Sequence, residues 1–149
     1  KGVLHRDLKP ENFFMARDGT VKLGDFGFSN FMTSGGQKRI LKTPCGSAVY
    51  VAPEIINKEP QGPFVDVWSL GVSLYTLVSA QDPWQKRGKA LTVVEQYHLI
   101  LAGAYNKLPS SVSPECQDLV KRMICVDKAR RITLPEALKH SWFKKQGVI

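Results

Sequence analysis

The sequence is poor in cysteine and has no long hydrophobic run. Its three cysteines, Cys45, Cys116 and Cys125, are odd in number and lack the spacing of metal ligands. Neither a disulfide framework nor a zinc site is therefore expected, and a reducing, intracellular setting fits best. No apolar run reaches the roughly 18 residues that cross a bilayer, and the N-terminus lacks the pattern of a signal peptide. We expect a soluble chain without membrane contact.

Acidic residues are fewer than basic ones, at 13 Asp and Glu against 21 Lys and Arg, which gives a net charge of +8. The surplus is uneven, since residues 1–42 carry +4, residues 43–85 carry −3 and residues 86–149 carry +7. No RNA-binding aromatic signature, zinc finger or helix-turn-helix spacing accompanies it, which argues against a nucleic-acid partner. Solvated helix faces and an anion site explain the charge more simply.

Internal repeats are absent as well, and the 149 residues with 43% apolar content are enough for one packed domain. Strand signals are confined to the N-terminal third. Residues 13–15 and 21–23 flank Asp18-Gly19, a turn that predicts a β-hairpin. Residues 29–44 show no apolar period and are expected to form a mobile polar loop, where function tends to reside.

Helical patterns dominate the rest of the chain. Apolar residues cover nearly every side of residues 66–80, which predicts a helix in the middle of the domain. Residues 91–102 give a second helical pattern, and Ser113 caps a third. A capping box at Thr133 and Glu136 begins a last helix through about residue 143. The expected fold is mostly α, with two or more short N-terminal β-strands.

Three motifs occur in a fixed order, and together they resemble the eukaryotic protein kinases. They are His5-Arg6-Asp7-Leu8-Lys9-Pro10-Glu11-Asn12, Asp25-Phe26-Gly27 and Ala52-Pro53-Glu54. The resemblance implies the C-terminal lobe of the protein kinase-like fold. Residues 1–28 would carry the catalytic and metal-binding loops, residues 29–54 the activation segment, and residues 55–149 a helical subdomain. No glycine-rich loop or strand lysine precedes Lys1, so we expect a partial catalytic domain that lacks its N-terminal lobe and is inactive alone.

The resemblance also implies ATP and Mg²⁺ as cofactors and assigns roles to single residues. Asp7 would orient the substrate hydroxyl and accept its proton, while Lys9 would neutralise charge on the γ-phosphate. Asn12 and Asp25 would hold Mg²⁺ through hard oxygen atoms. Phe14 would lie under the adenine, where relatives usually have leucine.

Substrate class follows from the Lys-Pro-Glu-Asn form of the first motif, which is similar to that of serine/threonine kinases. Ser47 would bond to Asp7 and Lys9 and close a site shaped for an aliphatic hydroxyl. Glu11 either faces an arginine of the substrate or is a plain surface carboxylate. The expected reaction is therefore phosphoryl transfer to Ser or Thr of a protein.

Regulation has its own candidate residues. Thr43 resembles the activation-loop threonine of AMP-activated and sucrose-non-fermenting-related kinases, a branch of the calmodulin-dependent kinase group. Phosphorylation there by an upstream kinase would add a charge of about −1.5 to −2, and Arg6 could bind that phosphate. The same branch implies cytoplasmic or nuclear residence.

Other positions are implied to be architectural. Glu54 should pair with Arg131, and Asp66 should accept hydrogen bonds from the backbone near His5. A stacked pair of His5 and Phe26 would make His5 a satisfied core residue rather than a general base.

Gly27 would allow a sharp turn after the metal ligand. The alternative function, which the sequence leaves open, is a non-catalytic kinase-lobe fragment or pseudokinase that binds partners through its helical surface.

Overall fold

The computed structural model describes residues 2–34, 37–38, 40–43, 45–85 and 90–145. Short strands occupy the first part of the described chain and pair as three antiparallel two-stranded sheets. β1 (Val3–Leu4) pairs with β4 (Asn30–Phe31), β2 (Phe13–Met15) with β3 (Val21–Leu23), and β5 (Thr33–Ser34) with β6 (Gln37–Lys38). Short 3-10 helices cover Pro10–Asn12 and Ala48–Tyr50.

The hairpin predicted from Asp18-Gly19 is present, with Phe13 opposite Leu23 and Met15 opposite Val21. Gly19 has a φ of +82°, the left-handed conformation that a tight turn requires. The polar stretch of residues 29–44, expected to be a loop, contains strands β4, β5 and β6 instead. Backbone pairing with a neighbouring segment does not need an apolar period, so the sequence pattern gave no signal for these strands.

Helices form the rest of the described chain. They are α1 (Pro53–Ile56), α2 (Pro63–Ser79), α3 (Val93–Ala102), α4 (Pro114–Met123), α5 (Leu134–Leu138) and α6 (Ser141–Lys145). The expectation of a mostly helical fold with short N-terminal strands is confirmed. Among the described residues, no helix is long and apolar enough to pass through a membrane.

Helix α2 lies at the centre, as the apolar pattern predicts. Trp68, Val72 and Tyr75 on it are buried, and Trp68 stacks on Trp84 with ring centroids 6.0 Å apart. Helix α4 packs closely against α2 at Gly71, where a Cβ atom would meet the Cβ of Met123 at 2.6 Å. Because that approach leaves no room for a side chain, the two helices require glycine there.

Helix ends follow local capping chemistry. The Ser113 side chain accepts from the backbone N–H of Cys116, as predicted for α4. Helix α3 begins with a capping box between Thr92 and Glu95, which the sequence interpretation did not identify. At its C-terminus, α2 ends at Ala80 in the left-handed conformation, with a φ of 55°.

The last predicted helix is divided into α5 and α6. The capping box of Thr133 and Glu136 is present, but the helix ends at Leu138. His140 lies in the break, where its Nε2 bonds Asp118 Oδ2 at 3.0 Å and its Nδ1 accepts from the N–H of Trp142 at 3.3 Å. This side-chain contact joins the break to α4, 22 residues earlier in the chain.

A buried ion pair joins α1 to the segment before α5. Arg131 Nη1 and Nη2 donate to the two Glu54 carboxylate oxygens at 2.7 and 3.0 Å. The guanidinium also donates to the carbonyl of Phe64 at 2.7 Å and lies 5.0 Å from the centre of the Trp68 ring. The pair that the resemblance implies is therefore present and fully enclosed.

Candidate functional site

Asp7, Lys9 and Ser47 form one hydrogen-bonded cluster. Lys9 Nζ donates to Asp7 Oδ2 and to Ser47 Oγ, each at 2.8 Å. The backbone N–H and hydroxyl of Ser47 donate to Asp7 Oδ1 at 3.0 and 3.1 Å. Three residues, separated by up to 40 positions in the chain, are thus held in one volume with the Asp7 carboxylate at its centre.

The charges of this cluster are set by its own contacts. Burial alone would raise the pKa of Asp7, but the hydrogen bonds from Lys9 and Ser47 outweigh it and lower that pKa below its ordinary value. The bond to Asp7 raises the pKa of Lys9. Both groups are therefore charged at neutral pH. A fixed carboxylate beside a fixed ammonium can orient a hydroxyl and attract a phosphate.

Asn12 and Asp25 lie beside this cluster. Asn12 is buried, and its Nδ2 donates to the Asp7 carbonyl at 2.8 Å, so its Oδ1 is the atom left to face a cation. Asp25 is exposed, its Oδ1 accepts from the Gly27 N–H at 3.2 Å, and its charge acts on Lys9. One amide oxygen and one carboxylate fit Mg²⁺, which binds proteins through one or two carboxylates and completes its shell with water and phosphate.

The backbone around the site is strained at two residues that are not glycine. Arg6 has a φ of 68° and Asp25 a φ of 56°. Asp66, at the start of α2, supports the first of these, because its carboxylate accepts the N–H groups of His5 and Arg6, both at 2.9 Å. Burial raises the pKa of Asp66, against the effect of these bonds.

The conformation of the Asp-Phe-Gly motif differs from the expectation for Gly27. The left-handed residue is Asp25, and Gly27 is outside that region. A Cβ atom at Gly27 would lie 3.2 Å from Asp25 Oδ1, a tight contact that a side chain there would make with the carboxylate. The turn is therefore made at the predicted metal ligand itself, and the glycine keeps the carboxylate uncrowded.

His5 and Phe26 are in edge contact, with ring centroids 4.9 Å apart. His5 is buried, its Nε2 bonds the Gly24 carbonyl at 2.9 Å, and its Nδ1 accepts from the Asp7 N–H at 3.3 Å. Both ring nitrogens are satisfied when Nε2 carries the single proton. These contacts fit a structural histidine, and they connect the two motifs that carry Asp7 and Asp25.

Gly46 is a site residue that the sequence interpretation passed over. It has a φ of +97°, and a Cβ atom there would lie 2.8 Å from the Arg6 carbonyl and 3.7 Å from Asp7 Oδ1. Only glycine allows the segment that carries Ser47 to approach the Asp7 loop so closely. The glycine directly before Ser47 was the available signal, because a close backbone approach is a usual reason for glycine beside a polar site.

Arg6 and Thr43 are connected through a residue that the motifs did not include. Arg6 Nε donates to the Phe28 carbonyl at 2.7 Å, and its Nη1 donates to Gln61 Oε1 at 3.2 Å. Gln61 Nε2 in turn donates to the Thr43 carbonyl at 3.0 Å. In the part of the chain that the structure describes, Arg6 thus reaches Thr43 through Gln61. No sequence signal identified Gln61, which stands outside every motif.

Glu11 and Phe14 lie at the edge of the site. Glu11 is exposed, and its charge is close enough to raise the pKa of Lys9 further. Phe14 is 55% exposed and lies over Gly24, where a Cβ atom would meet the ring at 2.6 Å. The geometry of Glu11 and Phe14 does not test the roles that the resemblance implies for them, so substrate binding by Glu11 and adenine contact by Phe14 stay predictions.

Comparisons with known proteins agree with the motifs. Residues 1–143 match the family model of the protein kinase domain. The chain is 47% identical over 148 residues to a human SNF-related serine/threonine-protein kinase, covering 98% of this chain and 18% of that protein. It is 44% identical over 143 residues to the probable serine/threonine-protein kinase MARK-A of Dictyostelium discoideum, covering 95% and 13%.

A plant relative is similar at the same level. The SNF1-related protein kinase catalytic subunit alpha KIN12 of Arabidopsis thaliana is 41% identical over 141 residues, with 95% of this chain and 27% of the relative covered. The predicted resemblance to the sucrose-non-fermenting-related branch is therefore confirmed. The chain spans between 13% and 27% of the length of these relatives.

Proposed function

The chain belongs to the protein kinase domain family, and we propose on that premise that its polar cluster transfers the γ-phosphate of ATP to a serine or threonine hydroxyl of a protein. The observation that supports this most is the Asp7 carboxylate, 3% exposed, which is held by Lys9 and Ser47 from two separate segments. In such an arrangement the reacting groups are positioned before the substrate arrives. Positioning of this kind is a main source of the rate acceleration in enzymatic phosphoryl transfer.

Asp7 has the central role in this proposal. Its lowered pKa keeps it ionised, so that it can accept a hydrogen bond from the incoming hydroxyl and then take its proton at a carboxylate oxygen. Lys9 stays protonated beside it and would offset the negative charge of the phosphate. Ser47 fixes the carboxylate through two bonds to Oδ1, which limits rotation of the base away from the hydroxyl.

Asn12 and Asp25 would hold Mg²⁺. The ion would neutralise negative charge on the phosphate oxygens and help to orient the phosphate for attack by the hydroxyl. Asn12 is fixed by its bond to the Asp7 carbonyl, so the metal ligand and the proton acceptor move as one unit. Mg²⁺ is usually bound by one or two protein oxygens, with water and substrate phosphates completing its shell.

An apolar surface beside the site supports a proposed partner, the N-terminal lobe of a kinase domain. Large side chains of the first 31 residues remain exposed around the Asp7 and Asp25 motifs. They include Phe14, Met15, Val21, Phe26, Phe28 and Phe31. A surface of this kind usually binds another protein surface. We propose that the lobe covers it and completes the nucleotide site, with Phe14 against the adenine.

Regulation and substrate choice belong to the same proposal. An upstream kinase would phosphorylate Thr43, which is exposed, and Arg6 would bind the phosphate with the N–H groups that remain on its guanidinium. Glu11, exposed beside Lys9, would contact a basic residue of the substrate. Cytoplasmic or nuclear residence is proposed from the branch to which the relatives belong.

Transfer from labelled ATP tests the proposal. The 149-residue chain is assayed with Mg²⁺ and a Ser/Thr peptide, alone and fused to the N-terminal lobe of a related kinase. We expect transfer by the fusion, and a loss of about 10²-fold or more in Asp7→Asn, since general base catalysis contributes that much. Failure of both forms, with undiminished binding to a partner protein, would instead favour the non-catalytic module.

A further inference from the structure

We propose that Gln61 is a positioning residue that fastens the segment containing residues 41–43 and 45–47 to the Asp7 loop without any phosphate on Thr43. The inference rests on the proposed function, because the segment carries Ser47, which holds the Asp7 carboxylate that would accept the proton. Gln61 lies before α2, outside the three kinase motifs. Its side chain has a donor end and an acceptor end, and the two ends serve two different parts of the chain.

The geometry of Gln61 assigns one bond to each of its polar groups. Its side chain is buried, at 8% exposure. The Oε1 atom accepts from Arg6 Nη1 at 3.2 Å, and Nε2 donates to the Thr43 carbonyl at 3.0 Å. Its backbone N–H donates to the Leu41 carbonyl at 2.9 Å. One residue thus binds two positions of the segment and the residue that directly precedes Asp7.

The segment is consequently held at both ends. Gln61 holds residues 41 and 43, and the Asp7 carboxylate holds Ser47 through its N–H and hydroxyl. Cys45, between these anchors, is close enough to Arg6 that the guanidinium opposes the rise in its pKa caused by burial. Loss of the Gln61 side chain would remove the bonds to Arg6 and to the Thr43 carbonyl, and it would leave the segment held by the backbone bond at Leu41 and by the Asp7 contacts at Ser47.

Gln61 and a phosphate on Thr43 are compatible. A guanidinium has five N–H groups, and the described bonds use Nε toward Phe28 and one N–H of Nη1 toward Gln61. The remaining N–H groups can bind phosphate while the Gln61 bond is kept. Gln61 therefore orders the segment in the unmodified chain, and phosphorylation would strengthen an arrangement that already exists.

Amide hydrogen exchange on the unphosphorylated 149-residue chain tests this inference. Loss of one hydrogen bond favours local opening by about fivefold, and Gln61→Ala removes two such bonds. The Ser47 amide should therefore exchange roughly 10- to 30-fold faster in this variant. Exchange in α2 and α4 should stay at the wild-type rate. Gln81→Ala makes the same change at an exposed glutamine and should alter neither. Thr43→Val removes the hydroxyl but keeps the carbonyl, and it should preserve protection.

A second variant keeps the test decisive. Gln61→Glu keeps the acceptor for Arg6 and loses the donor for the Thr43 carbonyl, so its Ser47 amide should exchange at a rate between wild type and Gln61→Ala.

Unchanged Ser47 exchange in both Gln61 variants would overturn the inference. Faster exchange spread equally over α2 and α4 would overturn it too, because Gln61 would then support the whole fold. These measurements need no phosphoryl transfer. A chain that transfers no phosphate but shows Gln61-dependent protection of the Ser47 amide would therefore count against the proposed function and not against this inference.

Discussion

The buried ion pair of Glu54 and Arg131 gives the sharpest prediction about stability. Glu54→Gln keeps the size and shape of the side chain and removes its charge. The Arg131 guanidinium, whose side chain is 0% exposed, would keep only uncharged partners among those described, namely the carbonyls of Phe64, Cys125 and Val126 and the amide oxygen of the substituted side chain. Its positive charge would then be buried without compensation.

The expected cost is about 3–5 kcal/mol of the free energy of unfolding, the usual result of breaking a buried pair by removing one partner. A urea m-value near 2 kcal/mol/M is typical of small domains. The midpoint of urea unfolding should therefore fall by roughly 1.5–2.5 M, as followed by tryptophan fluorescence. Trp68 reports directly, since Arg131 lies 5.0 Å from its ring centre.

A matched control is available in the same molecule. Glu59 pairs with Lys128 at the surface, where the two side chains are 42% and 46% exposed. Glu59→Gln makes the same chemical change and should leave the urea midpoint unchanged within error, because solvent and salt screen exposed pairs. Equal midpoints for the two variants would refute the reasoning that burial decides how much the Glu54–Arg131 pair contributes to the free energy of unfolding.

Two further predictions concern the site itself. Gly46→Ala should lower the free energy of unfolding by about 2 kcal/mol or more in urea unfolding, because a left-handed alanine would carry a Cβ 2.8 Å from the Arg6 carbonyl; a wild-type midpoint would contradict the close approach. The second is a pH effect. The lowered Asp7 pKa contributes stability that is present above the pKa of the unfolded chain and is lost as pH falls through the folded pKa. Lys9→Met removes the strongest of the bonds that lower it, so the Asp7 pKa should rise in a carboxyl resonance titration and acid unfolding should begin at higher pH. An unmoved titration curve would show that Lys9 does not control this carboxylate.

The parts of the fold that depend on local chemistry could be predicted from the sequence. The Asp18-Gly19 turn, the Ser113 cap of α4 and the apolar pattern of α2 all act within a few residues, and each appears where expected. The division between α5 and α6 was not predicted, and the residue at the break, His140, contacts Asp118 22 residues away, which no local pattern indicates.

The site shows the same contrast. Asp7, Lys9 and Asn12 belong to the first motif, Ser47 follows from the resemblance to serine/threonine kinases, and the four lie together. Gln61 was missed because its partners are 18 and 55 positions away, and no local pattern marks a glutamine that joins two distant segments. The sharp turn was predicted at Gly27 because glycine is the most permissive residue, whereas the left-handed residue is Asp25.

The claim that Asn12 and Asp25 share one ligand volume with Asp7 is tested most directly by paramagnetic broadening. Mn²⁺ with ATP is titrated into the isotope-labelled chain, and the resonances that disappear first locate the metal. The account predicts that signals of Asn12 and Asp25 broaden together, followed by those of Asp7 and Lys9, and that Asp25→Ala abolishes the effect. Broadening centred on other carboxylates, such as Glu59 or Asp127, with Asn12 and Asp25 left sharp, would contradict it.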